Sequence, residues 1–572
     1  MNNQPICKTA FTKTVTTSLL VLLAVPAFAA NSFAAEPRPP ERYCNPLPIP
    51  NYPVGKLARD VTKGEPNDGG LWIAERKEQY RELADPTALW FEGAWYLYPS
   101  CDLAWVSRDE GRTWQHHPLN VRDLGYAPTV VRHAGRFLLM GSGSEIHASD
   151  SPLGPFRPIG ALKIAFGQNK LPVMIDPMLF SDDDGRLFFY WGCTPSGGIW
   201  GVELDAKEPT VPKGEPKELI PFEPHTFPWE STGNHNQIRN VGWMEGAWMV
   251  KHNGRYLLTY SSGGTQYRTY AMGCYVSDSP LGPFRPQPRN PIFRNTEGFI
   301  TGTGHGCIVR GPGDRLWTFY TVLSAVVHGF ERRVGMDPAA FDADGNLYVP
   351  AATSTPQPIS AGTNATPWVP LNDGEPTFGS SSAPNTAGRL AADNSMMTWW
   401  LPAADEAQPV LTTSFANAEI RAVRVIWRDV GLDTPKGVKP GPFRYRIEAE
   451  TEGGTWTTIV DRSESTEDLL IDYRECVPTT AKRARLVVLG QPKGIQPAVA
   501  EFTLFGPVRY RINVQRKLGV KEGDGGAFRE VLECGSPLPL SSREPAGQKR
   551  QRAAAVQDAS AVVHRKPVAR TL

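Results

Sequence analysis

A pattern that recurs five times between residues 85 and 350 constrains the fold of this 572-residue chain more than any other feature. In each copy an opening residue precedes a turn glycine by eight or nine positions, and an aromatic-rich stretch follows the glycine. Alternating apolar residues on both sides of such a turn predict a β-hairpin. Repetition at intervals of roughly 40 to 70 residues, in strands alone, predicts a five-bladed β-propeller. The opening residues are Asp85, Ala127, Asp176, Glu245 and His305.

Composition supports an all-β chain with more than one domain. The 54 glycines and 53 prolines are typical of many short strands joined by tight turns. The length exceeds what one hydrophobic core serves, so at least two domains are expected. A formal net charge of +1 argues against nucleic-acid binding and against a polybasic membrane-surface protein, because both depend on clustered positive charge.

The first 34 residues have the layout of a Sec-type signal peptide. Lys8 and Lys13 precede an apolar run at 19–30, and small residues follow it. The run is shorter than the roughly 20 residues that span a bilayer. We therefore expect a periplasmic or secreted protein, without a membrane partner. The seven cysteines outside this segment are scattered with no CxxC spacing, so they indicate no zinc site and no particular disulfide pairing.

Three of the opening residues are carboxylates, and they belong to different blades. The first strand of each propeller blade lines the central channel, so Asp85, Asp176 and Glu245 are expected to converge at the axis. Each has a structural alternative: Asp-Pro often starts a turn, and Glu230 is a rival for Glu245. His305 could equally be a core histidine. Converging carboxylates suit hydrolysis of a glycosidic bond, which needs one protonated carboxylic acid and one ionised carboxylate.

At these positions the sequence resembles glycoside hydrolase family 43, the five-bladed propeller glycosidases, over roughly residues 75–350. The resemblance implies that Asp85 is the general base, Glu245 the general acid and Asp176 the group that tunes pKa. It also implies an inverting mechanism, with His305 near an axial calcium and an arginine that reaches the sugar. That arginine is Arg332 or Arg333, and the sequence leaves both open. The motifs that carry the resemblance to this family are Ala84-Asp85-Pro86, Ala127-Pro128, Ile175-Asp176-Pro177, Trp243-Met244-Glu245-Gly246 and Gly302-Thr303-Gly304-His305.

The resemblance implies a secreted exo-glycosidase that acts on pentose-containing polysaccharide or oligosaccharide, of the β-xylosidase or α-L-arabinofuranosidase type, and we expect a monomer. Two alternatives remain open: a propeller that binds carbohydrate without catalysis, and a galactanase or arabinanase of the same fold. Residues 107–114 fit the "Asp-box" of sialidase propellers. One such turn is weak support for a sialidase, because it stabilises blades in several propeller families.

The remaining chain predicts a second domain and a tail. The propeller is expected to occupy residues 35–350, and a Pro/Ser/Thr-rich linker residues 351–382. Residues 383–508 resemble a discoidin-like, carbohydrate-binding family 32 β-sandwich (jelly roll). That resemblance implies a structural calcium, for which Asp393, Thr398 and Glu501 are the candidates. Whether this domain binds glycan stays open, and residues 509–572 predict a disordered, basic tail.

Overall fold

The computed structural model describes residues 41–51, 58–59, 71–72, 80–168, 171–359 and 365–508. Within these ranges the chain consists of β-strands and four 3-10 turns, which confirms the predicted all-β class. The predicted signal peptide and the predicted tail at 509–572 lie outside the described residues. A short parallel pair joins Ala58–Arg59 to Leu71–Trp72. In the part of the chain that is described, no helix is long and apolar enough to cross a membrane.

The predicted propeller is confirmed as five antiparallel sheets of four strands, each built from strands consecutive along the chain. Blade 1 contains Thr87–Phe91, Ala94–Tyr98, Leu103–Ser107 and Gln115–Pro118. Blade 2 contains Thr129–His133, Arg136–Met140, Ile146–Ser149 and Arg157–Gly160. Blade 3 contains Met178–Ser181, Leu187–Trp191, Ile199–Leu204 and Lys217–Ile220. Blade 4 contains Glu245–His252, Arg255–Ser262, Ala271–Ser277 and Arg285–Pro286. Blade 5 contains Cys307–Arg310, Leu316–Leu323, Arg332–Phe341 and Leu347–Tyr348.

The blades close into a ring through their first strands, each of which contacts the first strand of the next blade. Blade 5 returns to blade 1, where the Ala88 backbone N–H lies 3.1 Å from the Cys307 sulfur. Buried aromatic rings fill the space between these two blades: Trp95 packs edge-on against Phe319 with ring centroids 4.9 Å apart. Closure matters for function, because it brings residues that are distant in sequence to one axis.

The Asp-box forms a peripheral turn between the third and fourth strands of blade 1. Asp109 accepts hydrogen bonds from the Ser107 hydroxyl at 2.7 Å and from the Thr113 backbone N–H at 2.9 Å. The Trp114 indole donates to the Gly111 carbonyl at 3.0 Å. All of these hydrogen bonds form within the turn, as expected for an element that stabilises a blade.

The second domain is a seven-stranded antiparallel sheet that bends over its own hydrophobic core. Two long strands, Val410–Val430 and Ile471–Gly490, pair with each other along most of their length. Their pairing is interrupted between Ser414 and Ala418 and again between Ile420 and Ala422, and such bulges bend a sheet. This arrangement is compatible with the predicted β-sandwich. The other strands are Trp368–Pro370, Thr377–Gly379, Arg444–Glu450, Trp456–Asp461 and Gln496–Pro507.

The segment that we expected to be a linker belongs structurally to both domains. Gln357–Pro358 pairs with Arg42–Tyr43 beside the propeller, while Trp368–Pro370 and Thr377–Gly379 are strands of the second sheet. The second sheet therefore begins near residue 368 rather than 383. Local composition favoured a linker because prolines and glycines separate these strands, and strands of two or three residues carry no detectable alternation.

Buried polar contacts join the two domains. Arg424 of the second sheet donates to the carbonyl oxygens of Asn45 at 2.7 Å and Ser354 at 2.8 Å. Its guanidinium also lies 4.1 Å from the centre of the Phe299 ring of the propeller. The second domain thus packs against the propeller, which fixes its position relative to the ring.

Candidate active site

Four of the five residues that open the blades share a strained backbone conformation. Asp85, Ala127, Asp176 and His305 have positive φ angles of 53°, 44°, 53° and 38°, and each lies two residues before the first strand of its blade. Non-glycine residues avoid this left-handed region at a cost of roughly 1–2 kcal/mol each. Its recurrence at one position of the repeat indicates that ring closure imposes it, and it turns these side chains toward the axis.

Blade 4 departs from this pattern, because its first strand begins at Glu245 itself. The positive φ angles there fall on Trp243, at 54°, and on Gly246, at 60°, and a bulge separates Glu245 from Trp248 in the pairing of the first two strands. Glu245 pairs with Ser261 of the second strand. Gly246 suits the site because a Cβ there would stand 3.0 Å from the His305 ring.

Hydroxyl groups at the ends of the second strands hold the opening residues in place. The backbone N–H of Ala127 donates to Ser100 at 2.9 Å and that of Asp176 to Ser142 at 2.9 Å. The N–H of His305 donates to Ser261 at 2.7 Å and that of Asp85 to Thr321 at 3.3 Å. Each hydroxyl belongs to the neighbouring blade, so the ring itself positions the site.

Asp85 is a buried carboxylate held by a cation. Arg332 donates to both of its oxygens, at 2.7 and 3.2 Å, and the Ser100 hydroxyl donates to Oδ2 at 2.8 Å. Burial alone would raise the pKa of Asp85, but Arg332, His305 and Ser100 outweigh it and hold that pKa below its ordinary value. Arg332 also donates from Nε to Glu82 at 2.7 Å and from Nη1 to Thr265 at 2.7 Å. Its donors are thus engaged by protein groups, and it positions Asp85.

Glu245 occupies a different environment. Its side chain is buried and accepts hydrogen bonds from the Tyr270 hydroxyl and, at 3.0 Å, from the Cys193 thiol. Burial raises the pKa of Glu245, against the opposing effects of His305, Tyr270 and Cys193. This carboxyl therefore holds a proton more readily than Asp85 does.

Asp176 and His305 lie between these two carboxyls. The His305 Nδ1 is 3.4 Å from Asp85 Oδ1 and 3.8 Å from Asp176 Oδ2. Carboxylate and thiol atoms of Asp176, Cys193 and Glu245 lie within 4.8 Å of one another. Burial, together with the charges of Glu245 and Asp85, raises the pKa of Asp176 well above its ordinary value. The structure therefore brings together all three predicted carboxylates and the predicted histidine.

Arg333 and Glu230, which the sequence left open as alternatives to Arg332 and Glu245, lie outside the carboxylate cluster. Arg333 donates to the carbonyl oxygens of Arg81 and Arg332, both at 2.7 Å, so Arg332 is the arginine of the carboxylate cluster. Glu230 is buried, where it accepts from Tyr260 at 2.5 Å and from the Glu223 N–H at 2.9 Å. Burial raises the pKa of Glu230 to about 7, but none of these partners belongs to the cluster.

Sequence reasoning missed Glu82, Tyr270 and Cys193. For Cys193 a signal was present: the hydroxyl residue found at or just after the end of the second strand in the other blades is replaced by Gly192 in blade 3. Without a side chain at this position, the neighbouring thiol reaches the Glu245 carboxyl. Glu82 and Tyr270 have no local signal, because their roles depend on partners in other blades.

The predicted calcium ligands of the second domain lie close together. Both Asp393 oxygens accept from the Thr398 hydroxyl at 2.9 Å. The Glu501 side chain is buried, its Oε2 has no hydrogen-bond partner among the described residues, and Asp393 and Asp373 act on it electrostatically. A buried carboxylate oxygen without a partner, beside two further carboxylates, fits a hard cation such as calcium. The axial calcium near His305 remains a prediction.

The cluster at the axis thus combines an ionised carboxylate, a carboxyl with a raised pKa and a third carboxyl near both. Two carboxyl groups whose environments push their pKa values apart are the requirement for paired acid and base chemistry.

Comparison with known proteins supports the same chemistry. Residues 71–347 match the model of the family described as "Glycosyl hydrolases family 43". A β-xylosidase of Xylanibacter ruminicola is 26% identical over 325 residues, which cover 46% of this chain and 95% of that protein. A xylosidase/arabinosidase 43A of Humicola insolens is 28% identical, with the same coverage of 46% and 95%. A β-D-galactofuranosidase, xynD, of Aspergillus niger is 26% identical over 41% of this chain and 73% of its own length. Over residues 71–347, which carry the propeller and the axial carboxylates, this chain therefore matches glycosyl hydrolase family 43.

Proposed function

We propose that this protein is a glycoside hydrolase that cleaves terminal pentose residues from polysaccharides or oligosaccharides, as a β-xylosidase or α-L-arabinofuranosidase. The observation that carries the proposal is the contrast between Asp85, which Arg332 keeps ionised, and Glu245, whose pKa is raised by burial. The names of the bacterial and Humicola relatives support a pentose substrate.

In the proposed reaction, Asp85 acts as the general base. Its ionised carboxylate removes a proton from a water molecule as that water attacks the anomeric carbon. Glu245 acts as the general acid and gives its proton to the departing glycosidic oxygen. Direct attack by water inverts the anomeric configuration, which requires the two carboxyls to stand roughly 6.5–9.5 Å apart.

Asp176 supports this division of roles. Its negative charge, when present, opposes ionisation of Glu245, and its Oδ2 lies 3.8 Å from His305 Nδ1. Arg332 acts as a positioning residue, because its donors are occupied by Asp85, Glu82 and Thr265.

A different sugar substrate is supported by one observation, the similarity to a β-D-galactofuranosidase. A furanose-specific enzyme of the same fold, or a galactanase or arabinanase, would use the same carboxylates with a different sugar pocket. A propeller that only binds carbohydrate is the further alternative, and it is disfavoured by the retention of all three carboxylates in a shared pocket.

The deciding experiment measures sugar release from 4-nitrophenyl glycosides of β-xylose, α-L-arabinofuranose and β-galactofuranose. We expect turnover of at least one pentoside by the unchanged protein and a loss of more than about a thousandfold, roughly 4 kcal/mol of barrier, in Glu245→Gln. Proton NMR of the first product anomer tests inversion. Binding of glycosides without turnover would contradict the enzyme assignment.

We further propose that the second domain holds a structural calcium through Asp393, Glu501 and the loop that contains Thr398. Calcium takes six to eight oxygen ligands and would satisfy the free oxygen of Glu501. The ion would link the loop that precedes Trp400 to the last strand of the sheet, and it would have no part in the chemistry at the propeller axis.

The cellular setting is also a proposal. The apolar run at 19–30 with its two preceding lysines supports export through a cleaved signal peptide, to the periplasm or the medium. Mass spectrometry of the protein recovered from that compartment should place its first residue after Ala29 or Ala34. Gel filtration tests whether the exported protein is a monomer.

A further inference from the structure

A cleft of about 400 Å³ lies between the propeller and the second domain, apart from the carboxylate cluster. Its propeller side includes Tyr80, Val327 and Arg333, and the second domain contributes Trp399 and Asp429. Asp85, Asp176 and Glu245 do not line it. A cleft at a domain junction that combines an aromatic ring with a few polar groups is a common form of ligand site.

Two polar atoms of the cleft residues are buried without a hydrogen-bond partner among the described residues. They are the Nε1 of Trp399 and the Oδ1 of Asp429. The Asp429 side chain is only 6% exposed, and its Oδ2 is engaged by Arg81 at 2.7 Å. Buried polar atoms of this kind are normally satisfied. A ligand that donates to Asp429 and accepts from Trp399 would satisfy both, and a hydroxyl group does each.

The charges around the cleft compensate one another. Arg81 pairs with Asp429 at 2.7 Å and with Asp468 at 2.5 Å. Arg428 pairs with Glu331 at 3.1 Å. Arg333, the remaining arginine of the lining, acts electrostatically on Asp429. The lining residues thus combine three arginines with three carboxylates, which leaves no excess positive charge to hold a phosphate or a uronic acid. The expected ligand is therefore neutral and rich in hydroxyl groups.

The cleft also lies close to the carboxylate cluster along the chain of blade 5. Arg332 and Arg333 are consecutive in one strand, so their side chains point to opposite faces. Arg332 contacts Asp85, whereas Arg333 lines the cleft. The loop that leads into this strand carries Phe330, whose ring lies 5.5 Å from the Arg332 guanidinium, and Val327, which is 59% exposed on the cleft side. One loop thus contacts Arg332 of the carboxylate cluster through Phe330 and lines the cleft through Val327.

We propose that this cleft binds a neutral pentose oligosaccharide, as a second sugar site beside the catalytic pocket, with Trp399 as the stacking platform and Asp429 as the hydroxyl acceptor. The choice of pentose rests on the proposed function. The second domain then contributes to substrate capture rather than only packing against the propeller.

The test uses the full chain with Glu245→Gln, labelled with ¹⁵N-tryptophan. The indole N–H signal of Trp399 is assigned as the one that disappears in Trp399→Phe. Xylohexaose and linear α-1,5-arabinohexaose are then added in separate titrations. We expect one of them to shift the Trp399 signal in a saturable way, and Asp429→Asn to weaken this binding at least about tenfold.

Two further variants keep the test independent of folding defects. Val327→Asp changes an exposed position and should weaken binding by a similar factor. Phe378→Ala removes an aromatic ring that is 68% exposed on the second domain outside the cleft, and it should change nothing. A Trp399 signal that neither sugar shifts overturns the proposal, as does a shift that survives Asp429→Asn and Val327→Asp unchanged. Failure of the proposed function is distinguishable, because it appears as absence of turnover in the unchanged enzyme.

Discussion

The guanidinium of Arg332 donates to both carboxylate oxygens of Asp85, with Nη1 to Oδ1 at 2.7 Å and Nη2 to Oδ2 at 3.2 Å. The same guanidinium is anchored by Glu82, so the cation keeps its position in a buried site. This pair decides the protonation state of the proposed base, because burial by itself would favour the neutral acid.

Arg332→Met should therefore move the acidic limb of the pH–rate profile to higher pH. The base acts only when ionised, so activity is lost as pH falls through the pKa of Asp85, and removal of the cation raises that pKa. The variant also removes the cation that contacts two buried carboxylates, Glu82 and Asp85, which should lower the free energy of unfolding by about 3–5 kcal/mol. The measurement is kcat/KM against pH, with urea unfolding for stability.

Arg315→Met is the matched control, because Arg315 is another blade 5 arginine and donates to the Ile359 carbonyl away from the cluster. Its acidic limb should coincide with that of the unchanged enzyme. An acidic limb that stays in place in Arg332→Met would refute the role given to this cation.

Substitution of Cys193 should move the alkaline limb of the same profile. The thiol donates to Glu245 Oε2 at 3.0 Å, and donors to a carboxylate favour its ionised form and lower its pKa. A serine hydroxyl is a stronger donor than a thiol. Since the acid must be protonated, activity is lost as pH rises through the pKa of Glu245. The pH midpoint of the alkaline limb should therefore be lowest in Cys193→Ser, intermediate in the unchanged enzyme and highest in Cys193→Ala.

The order distinguishes this effect from general damage to the pocket, which would reduce activity at every pH. Cys476→Ser provides the control, because Cys476 is half-buried in the second domain. If the Ser and Ala variants displace the alkaline limb in the same direction, the thiol does not act through the pKa of Glu245.

Calcium should stabilise the protein more at pH 8 than at pH 5. Burial raises the pKa of Glu501 to about 8 in the folded protein, whereas in the unfolded chain it titrates near 4.5. Without an ion, stability is therefore lost as pH rises between these values, because only the unfolded chain ionises freely. Calcium binds the ionised carboxylate and restores that stability.

The measurement is the melting temperature after EDTA treatment, with and without added calcium, at both pH values. Glu501→Gln should abolish the calcium-dependent increase. Glu450→Gln, which alters a carboxylate paired with Arg483 on the same domain, should retain it. A calcium effect that persists in Glu501→Gln would place the ion elsewhere.

Asp109→Ala should destabilise the propeller without altering the chemistry. The carboxylate accepts three hydrogen bonds within its turn, from Ser107 and from the backbone and hydroxyl of Thr113. Loss of these bonds should lower the free energy of unfolding by about 1–3 kcal/mol, measured in urea, while kcat of the folded enzyme stays the same. Asp150→Ala, at an exposed ion pair, should leave stability unchanged. A loss of kcat in folded Asp109→Ala would give this turn a functional role.

The sequence by itself determined the blades and the chemistry-bearing residues. Hairpins form from neighbouring residues, so alternation and turn glycines such as Gly93 and Gly254 reveal them locally. Five such repeats leave few architectures available, and the shared register predicted that Asp85, Asp176 and Glu245 would meet. The second sheet was predicted from the resemblance of residues 383–508 to a discoidin-like β-sandwich, while its two shortest strands, which precede residue 383, were not predicted.

Only the tertiary structure decided the contacts that tune these residues. Glu82 and Arg332 are 250 positions apart, and no local pattern relates them or favours Arg332 over Arg333. The thiol of Cys193 reaches Glu245 from the neighbouring blade, a contact that likewise results from ring closure. Periodicity is a property of neighbouring residues, whereas pKa values and hydrogen-bond partners depend on which distant side chains the closed ring brings within a few ångströms.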